Sequence, residues 1–506
     1  MLAASRFIQA RPIFSLFTST AVTGTAYTYS VEYYYSLEKQ LSPATLPRNY
    51  DREAIAQYWS QKPVSVISRI STIAYEVLPL ISSYIIDFKL FPSAEETTRK
   101  ELELQHAKEL RLALTRLGPA FIKLGQQLSI RPDLLPALVL KELQKLCDAV
   151  EPVTDEVAFE TIRQDLGEEK LSQLQDIKLV ASASLGQVYK AKLNDQNVAI
   201  KVQRPDMLEK VSLDLFLLNN YGLFLDTIFD VLTNQIPFHV DFIDCFARGS
   251  YNELDYENEA QNQNYFKKEF EKRKCKVKIP FIVDDMTARR VITMEWVEGV
   301  KLSDANKDQI RSLIPVGVEL FLTQLLDIGR FHADAHPGNL LVLKDENCLC
   351  LIDFGLCAEI DANSRKAMTA AIVHLLTGDF DSLICKDAKE LGFLPENLDV
   401  SELKPILIKI LNEGLLESGS NLHNRKRKLM SISNELNEVF FKYPFSVPPF
   451  FALITRGLGL LEGIALSGDP DFDIFKASLP YATKRAVEIY GSQSILRLRR
   501  GSTNLN

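Results

Sequence analysis

A basic surplus is missing from this sequence: across 506 residues the formal net charge is −8. Non-specific nucleic-acid binding depends on Lys and Arg neutralising phosphates and releasing counterions, so that class of function is excluded. A cysteine framework is missing as well. The 7 cysteines, Cys147, Cys245, Cys275, Cys348, Cys350, Cys357 and Cys385, are odd in number and irregularly spaced. That pattern points to free thiols in a reducing compartment rather than disulfide staples. Cys348 and Cys350 lie in an apolar run that reads as a buried strand, with no matching Cys or His pair to complete a metal site. No repeat period is present, which excludes a solenoid, and no Gly-x-Ser-x-Gly elbow is present either. His332 and His336 are four apart, but no glutamate follows His332 and the segment runs into Pro337-Gly338, so a zinc-protease helix is excluded.

Acidic residues are absent from Met1 to Val31, where Arg6 and Arg11 sit among Ser, Thr and small apolar residues. This is the composition of a mitochondrial transit peptide, and it places the protein in the mitochondrion, at or on the inner membrane. Ile13 to Val31 is long enough to span a bilayer, with its hydropathy weakened by Thr, Ser and Tyr. A cleaved targeting segment and a retained anchor both stand open. Val64 to Phe91 carries Arg69, Glu76 and Asp87 and reads as a packed or membrane-surface helix. Arg425-Lys-Arg-Lys428 reads as a solvated helix face, with a patch for membrane phosphates as the alternative.

What is present is a globular composition, 46% hydrophobic and 25% charged. The expected layout is a targeting or anchor segment over 1–31, a helical extension over 32–116, a β-containing lobe over 117–300, a helical lobe over 301–490 and a tail over 491–506. Ser93 with Glu96 predicts a capping box opening a helix that ends at Gly118. Pro119 starts the next helix, because a first-turn proline loses no hydrogen bond. Helices are predicted over Pro136–Val150 and Asp155–Leu166. Ile177–Ser184, Gln187–Leu193 and Asn197–Gln203 read as strands, the last two joined by a turn at Asn194-Asp195-Gln196. Long helices are predicted over Met207–Ile228 and Phe242–Phe270, and strands over Val277–Val283, Arg290–Val297, Leu340–Leu343 and Cys348–Ile352. A small β-rich lobe followed by a larger helical one is an α+β arrangement.

The chemistry-bearing residues fall in order along this layout. Lys201 ends the strand Val198-Ala-Ile-Lys201. Glu253, Asp255 and Glu259 follow in a helical stretch. Asp334 and Asn339 share the Pro-Gly loop His332-Ala-Asp-Ala-His-Pro-Gly-Asn339, and Asp353-Phe354-Gly355 follows after a strand, a turn and a strand. Phosphoryl transfer from ATP uses an aspartate at the acceptor, an asparagine on one magnesium and a second aspartate on the bridging metal. The order and spacing match the kinase pattern His-x-Asp-x4-Asn followed by Asp-Phe-Gly.

Two departures from typical protein kinases make the resemblance more specific. The loop after Asp334 lacks a lysine, and the Gly-x-Gly-x-x-Gly loop is replaced by Ala181-Ser-Ala-Ser-Leu-Gly-Gln-Val188. With Lys123-Leu-Gly125-Gln126 upstream, residues 117–356 resemble the UbiB family of atypical protein-kinase-like proteins, a group linked to coenzyme Q. The resemblance implies a two-lobed kinase-like fold with an added N-terminal helical extension. Lys201 would be the phosphate-binding lysine, with Glu259 as its helix partner. Ala181, Ser182, Ala183 and Ser184 would form the nucleotide turn. Asp334, Asn339 and Asp353 would take the catalytic-loop and metal positions. Lys123 would pair with Glu253 and Asp255, on a helix closing over the site. Ser182 stands where many members carry alanine. The implied cofactors are ATP and magnesium, and the implied partners are a lipid or quinone and the inner membrane. Alanine restricts the positive φ that glycine allows, so the turn should approach phosphates less freely. Slow ATP hydrolysis or small-molecule phosphorylation is therefore expected in coenzyme Q or lipid homeostasis. A nucleotide-regulated scaffold is the alternative.

Overall fold

Alternation of apolar residues with period two builds the first sheet. In a computed structural model that describes residues 45–90, 95–129, 135–146, 152–232, 239–334, 337–344, 346–411, 448–470, 472 and 474–490, three strands form it with a fourth from later in the chain. These are β1 (Leu174–Ser182), β2 (Gly186–Leu193), β3 (Gln196–Gln203) and Val291–Glu295, all antiparallel. The targeting segment 1–31, Cys147, the basic run 425–428 and the tail 491–506 lie outside the described residues. The β2–β3 connection is a two-residue hairpin: Asn194 and Asp195 hold φ of 48 and 63°, the left-handed pair that matches strand twist and that Asn and Asp tolerate. Val198, Ile200 and Val202 point to one side and pack with Ala158 and Ile162 of the helix Asp155–Leu166. The pleat therefore sends Lys201 to the opposite side.

The chain divides into two compact units, residues 1–258 with 283–295 and residues 259–282 with 296–506. In the first, Gly118 at φ 100° separates the helices Glu96–Leu117 and Pro119–Leu128, with Pro119 at the helix start as expected. Their apolar stripes meet in a core of Leu114, Leu117, Phe121, Leu128 and Leu143. The N-cap of the first helix is Glu95, without a side-chain cap bond; the predicted partner Ser93 lies outside the described residues. The predicted helix over 136–150 is described only as Ala137–Leu143.

A single helix over 242–270 was expected; two occur, His239–Glu253 and Tyr256–Arg273. The physical reason is Asp255, whose Oδ1 accepts the backbone N–H groups of Glu257 (3.1 Å) and Asn258 (3.3 Å), starting a new helix. The second helix crosses the boundary between the two units at 258/259.

The second unit holds a four-stranded sheet ordered Val277–Lys278, Leu349–Leu351, Leu340–Leu343, Gly299–Lys301, and a two-stranded pair of Arg330–His332 with Cys357–Glu359. The strand expected over 277–283 shrinks to two residues, because beyond Lys278 the chain makes no further ladder with Leu349–Leu351. Lys307–Leu322 opens with a full capping box between Asn306 and Gln309. It packs against Pro449–Gly468 by close approach at glycines. A Cβ on Gly457 would lie 2.5 Å from Phe321, and one on Gly317 3.3 Å from Leu461.

Candidate functional site

Each unit carries a cluster of the residues singled out above. In the first, Lys201 faces Val188 on β2 and Ile292 on the neighbouring strand. Its Nζ stands 5.0 Å from the centre of the Tyr256 ring, within cation–π distance. Tyr256 also sits against Gly186, where a Cβ would approach its hydroxyl to 2.5 Å and the Val202 carbonyl oxygen to 2.6 Å. Glycine at 186 is thus needed where β2 begins.

The turn at Ala181–Ser184 is tied down. Ala183 donates its N–H to the Gly186 carbonyl at 2.8 Å, and Ser184 is buried. Arg204, which sequence reasoning missed, donates through Nε to the Ala183 carbonyl (3.0 Å) and through Nη2 to the Ser182 hydroxyl (2.8 Å). Burial lowers the Arg204 pKa, yet arginine stays charged at any physiological pH. A cation therefore sits directly behind the serine/alanine turn. Its only sequence signal was its place just after β3.

Lys123 pairs with Glu253 at 2.8 Å, both side chains mostly buried. Gly125 and Gln126 serve that helix's packing. A Cβ on Gly125 would collide with Leu146, and Gln126 donates to the Leu146 carbonyl at 3.1 Å. Asp255 was expected beside Lys123 as well. Its recorded ionic partner is Arg48, whose Nε lies 2.8 Å away and which also reaches Glu257. The helix break explains this, because capping at Asp255 turns its carboxylate away from the direction a continuous helix would give.

In the second unit, His332 is buried and packs edge-on to Phe354 at 5.3 Å, while Phe266 stacks on the same ring at 5.3 Å. The Ile352 N–H donates to the Asn339 carbonyl (3.1 Å) and the Ala333 N–H to Leu356 (2.9 Å), stitching the two loops together. Asn262 donates to the Phe354 carbonyl at 3.0 Å. Asp353 holds φ of 61°, a left-handed conformation uncommon outside glycine and concentrated at functional sites. Its Oδ1 accepts the Gly355 N–H at 3.4 Å. A Cβ on Gly355 would lie 3.3 Å from Asp353 Oδ1 and 3.4 Å from Glu259 Oε2. Two carboxylates thus flank one glycine, and Glu259 is only 1% exposed.

Asn339 Nδ2 donates to the Asp334 backbone carbonyl at 3.1 Å, which leaves its Oδ1 as the side chain's acceptor. A carboxylate and an amide oxygen are hard donors suited to magnesium, which binds through one or two protein oxygens and completes its shell with phosphate and water. Among the described residues no group of three or more His, Cys, Asp or Glu is placed to hold a metal by itself. Packing pushes the Cys357 thiol up to about 12, so it offers no thiolate nucleophile at neutral pH.

A family model described as the ABC1 atypical kinase-like domain matches residues 145–386. The Arabidopsis thaliana chloroplastic protein ACTIVITY OF BC1 COMPLEX KINASE 3 is 39% identical over 86% of this chain and 60% of its own. Two uncharacterized Synechocystis proteins are each 35% identical, over 90% and 87% of this chain and 66% and 76% of theirs. The chain thus spans about 60% of the length of the first of these relatives. A Mycobacterium tuberculosis protein, Rv3197, solved as a complex with erythromycin, has a TM-score of 0.51 at 23% identity, covering 76% of this chain and 97% of that one. The fold is therefore kinase-like, as expected. The mitochondrial expectation is overturned, since these relatives are chloroplastic and cyanobacterial. Transit peptides share a basic, hydroxyl-rich, acid-poor composition across both organelles, which is why composition misled.

Proposed function

Because the chain belongs to the ABC1 atypical kinase-like family, we propose that it binds magnesium-ATP and transfers or hydrolyses the terminal phosphoryl group slowly, in a plastid. The observation that carries this reading is Asp353, held in a left-handed conformation beside Gly355 and the buried Glu259. Lys201 and the turn 181–184 bind the phosphates. Asn339 and Asp353 would hold magnesium, which would supply charge neutralisation for the phosphates. Asp334 orients the attacking hydroxyl or water and accepts its proton. Glu259 is the helix acid that the family resemblance assigns to the site, and Lys123 with Glu253 holds the regulatory helix. The acceptor class is a lipid or quinone, a reading that rests on family resemblance.

A nucleotide-regulated scaffold is favoured by one observation, the Arg204 clamp, which occupies the Ser182 hydroxyl and the Ala183 carbonyl. Titrating ATP and ADP into the full chain, with and without magnesium, and following phosphate release separates the two. Magnesium-dependent binding with release supports the enzyme; binding without release supports the scaffold; no binding overturns both.

Membrane association is supported by the helix Pro63–Ile85 and the π turn Ile86–Leu90 after it. The segment 63–90 is long and apolar enough to cross a bilayer by composition, with a mean hydropathy of 1.4, and no residue of the helix is buried. Its charges turn toward the rest of the first unit. Arg69 meets Asp214, Glu76 meets Arg116 and Asp87 meets His106. Ser71, Thr72 and Ser82 return their hydroxyls to the helix's own carbonyls, which hides their polarity. Val64 and Tyr75, by contrast, are 80 and 79% exposed. Changing Val64, Ile67 and Tyr75 to Asp should weaken flotation with liposomes at least a hundredfold, given about 1.5–3 kcal/mol per buried apolar side chain. Unchanged flotation would remove this face from the interaction.

A further inference from the structure

The loop Asp334-Ala-His-Pro-Gly-Asn339 contains no lysine or arginine. Phosphoryl transfer develops negative charge on the moving oxygens, and fixed positive charge facing them is the commonest way to stabilise it. A cation reaches this loop from a distant helix. Arg456 Nη2 lies 3.3 Å from Asp334 Oδ1, with the two side chains 17 and 24% exposed. The ion pair engages a single terminal nitrogen of the guanidinium, so Arg456 can hold Asp334 and still present its other donors to an oxyanion.

The position of Arg456 is built in by packing. The next residue is Gly457, where any side chain would strike Phe321, so glycine lets the Pro449–Gly468 helix approach closely enough for Arg456 to reach the loop. Gly468 repeats the device against Ile310, where a Cβ would lie 2.6 Å from Cγ2. A cavity of about 50 Å³ is lined by Asp334, Asn339 and His332 from the loop side and by Gly457 and Leu461 from the helix that carries Arg456, among others. Functional loop and helix thus face one space.

We propose that Arg456 is the phosphate-facing cation of this site, contacting the terminal phosphoryl group of ATP while it orients the Asp334 carboxylate. This rests on the magnesium-ATP reading above. In the transfer, the bond from the terminal phosphorus to the bridging oxygen breaks and ADP leaves with that oxygen. A bond forms from phosphorus to the acceptor hydroxyl or water oxygen, and the acceptor proton passes to Asp334. Arg456 keeps its own proton throughout.

The test compares the full-length protein with Arg456→Ala, Arg456→Gln and Arg456→Lys, reading ATP and ADP affinity, single-turnover phosphate release and thermal melting. Arg456→Ala and Arg456→Gln should lower release about a hundredfold and weaken ATP binding relative to ADP, which lacks the terminal group. Arg456→Lys should recover about tenfold of the loss, since lysine restores the charge without the fork. Faster release from the Ala variant would mean a latch holding Asp334 shut, and the proposal would fall. Equal losses of ATP and ADP affinity that track a lower melting temperature, with no recovery by lysine, would reduce Arg456 to packing and overturn it as well. If the unsubstituted protein binds no magnesium nucleotide, the parent reading fails before any variant is compared, and this assignment fails with it.

Discussion

Changing Asp353 to asparagine is expected to lower magnesium-dependent phosphate release about a hundred- to a thousandfold, the usual consequence of removing one preorganised charge-stabilising group. The substitution is chosen for its backbone. Asp353 sits at φ 61°, and asparagine tolerates that region as well as aspartate does. The Gly355 N–H, now 3.4 Å from Oδ1, can still find the asparagine carbonyl oxygen. Only the charge changes, so melting should move little while magnesium-dependent ATP affinity falls. Changing Asp353 to alanine removes the charge and also places a residue averse to this conformation there, at a further cost of about 1–2 kcal/mol. Alanine should therefore lower both release and melting temperature. If asparagine retains full release, Asp353 is not a metal ligand and the enzyme reading loses its main support.

The second large effect is on stability. Arg69 binds Asp214 at 2.6 and 2.8 Å and donates to the Leu117 carbonyl at 2.6 Å. Asp214 is only 2% exposed. Changing Arg69 to methionine keeps the length of the side chain and strands a buried carboxylate, which should cost about 3–5 kcal/mol. Adding Asp214→Leu should recover most of that loss, because the pair can be replaced by apolar packing. Trp59 reports the event locally. It shares a core with Leu215 and its indole N–H donates to Ser212 at 3.1 Å, so denaturant unfolding followed by its fluorescence, in a Trp296→Phe background, reads this core.

The same pair gives a pH dependence with a defined sign. Burial pushes the Asp214 carboxyl up to about 6 from an ordinary 3.8, with Arg69 pulling it back down. A folded-state pKa above the unfolded one means that the folded protein holds the proton more tightly. Asp214 therefore contributes stability that is fully present below about pH 4 and is lost as pH rises through about 6. Without Arg69 the downward pull disappears, so the variant's loss should be greater at pH 8 than at pH 5. A loss independent of pH would show that Asp214 is not the group responsible.

Much of the local structure was legible because it is written at short range. Val198, Ile200 and Val202 alternate with Ala199 and Lys201, so period two both predicted the strand and turned Lys201 away from the core. Asn194 and Asp195 carry the left-handed turn that joins it to β2. Pro119 after Gly118 marked a helix start. The loops bearing Asp334, Asn339 and Asp353 were recognisable because their residue types stand at short, fixed spacings. Where a local signal was misread, a side chain had changed partners. Asp255 looked like one more acid on a long helix, and it instead caps a second helix and takes Arg48.

The sequence by itself determined the β-hairpins, the main helices, the order of the chemistry-bearing residues and the family they resemble, since each depends on neighbours within a few positions. Only the tertiary structure decided that Lys123 meets Glu253, that Arg204 holds the turn at 182–183, that Arg456 reaches Asp334 and that the Pro63–Ile85 helix pairs its charges with the rest of its unit and exposes its apolar side. These contacts join residues far apart along the chain. Their pairing depends on how close two helices can pack, as at Gly457 against Phe321, and no local periodicity encodes that distance.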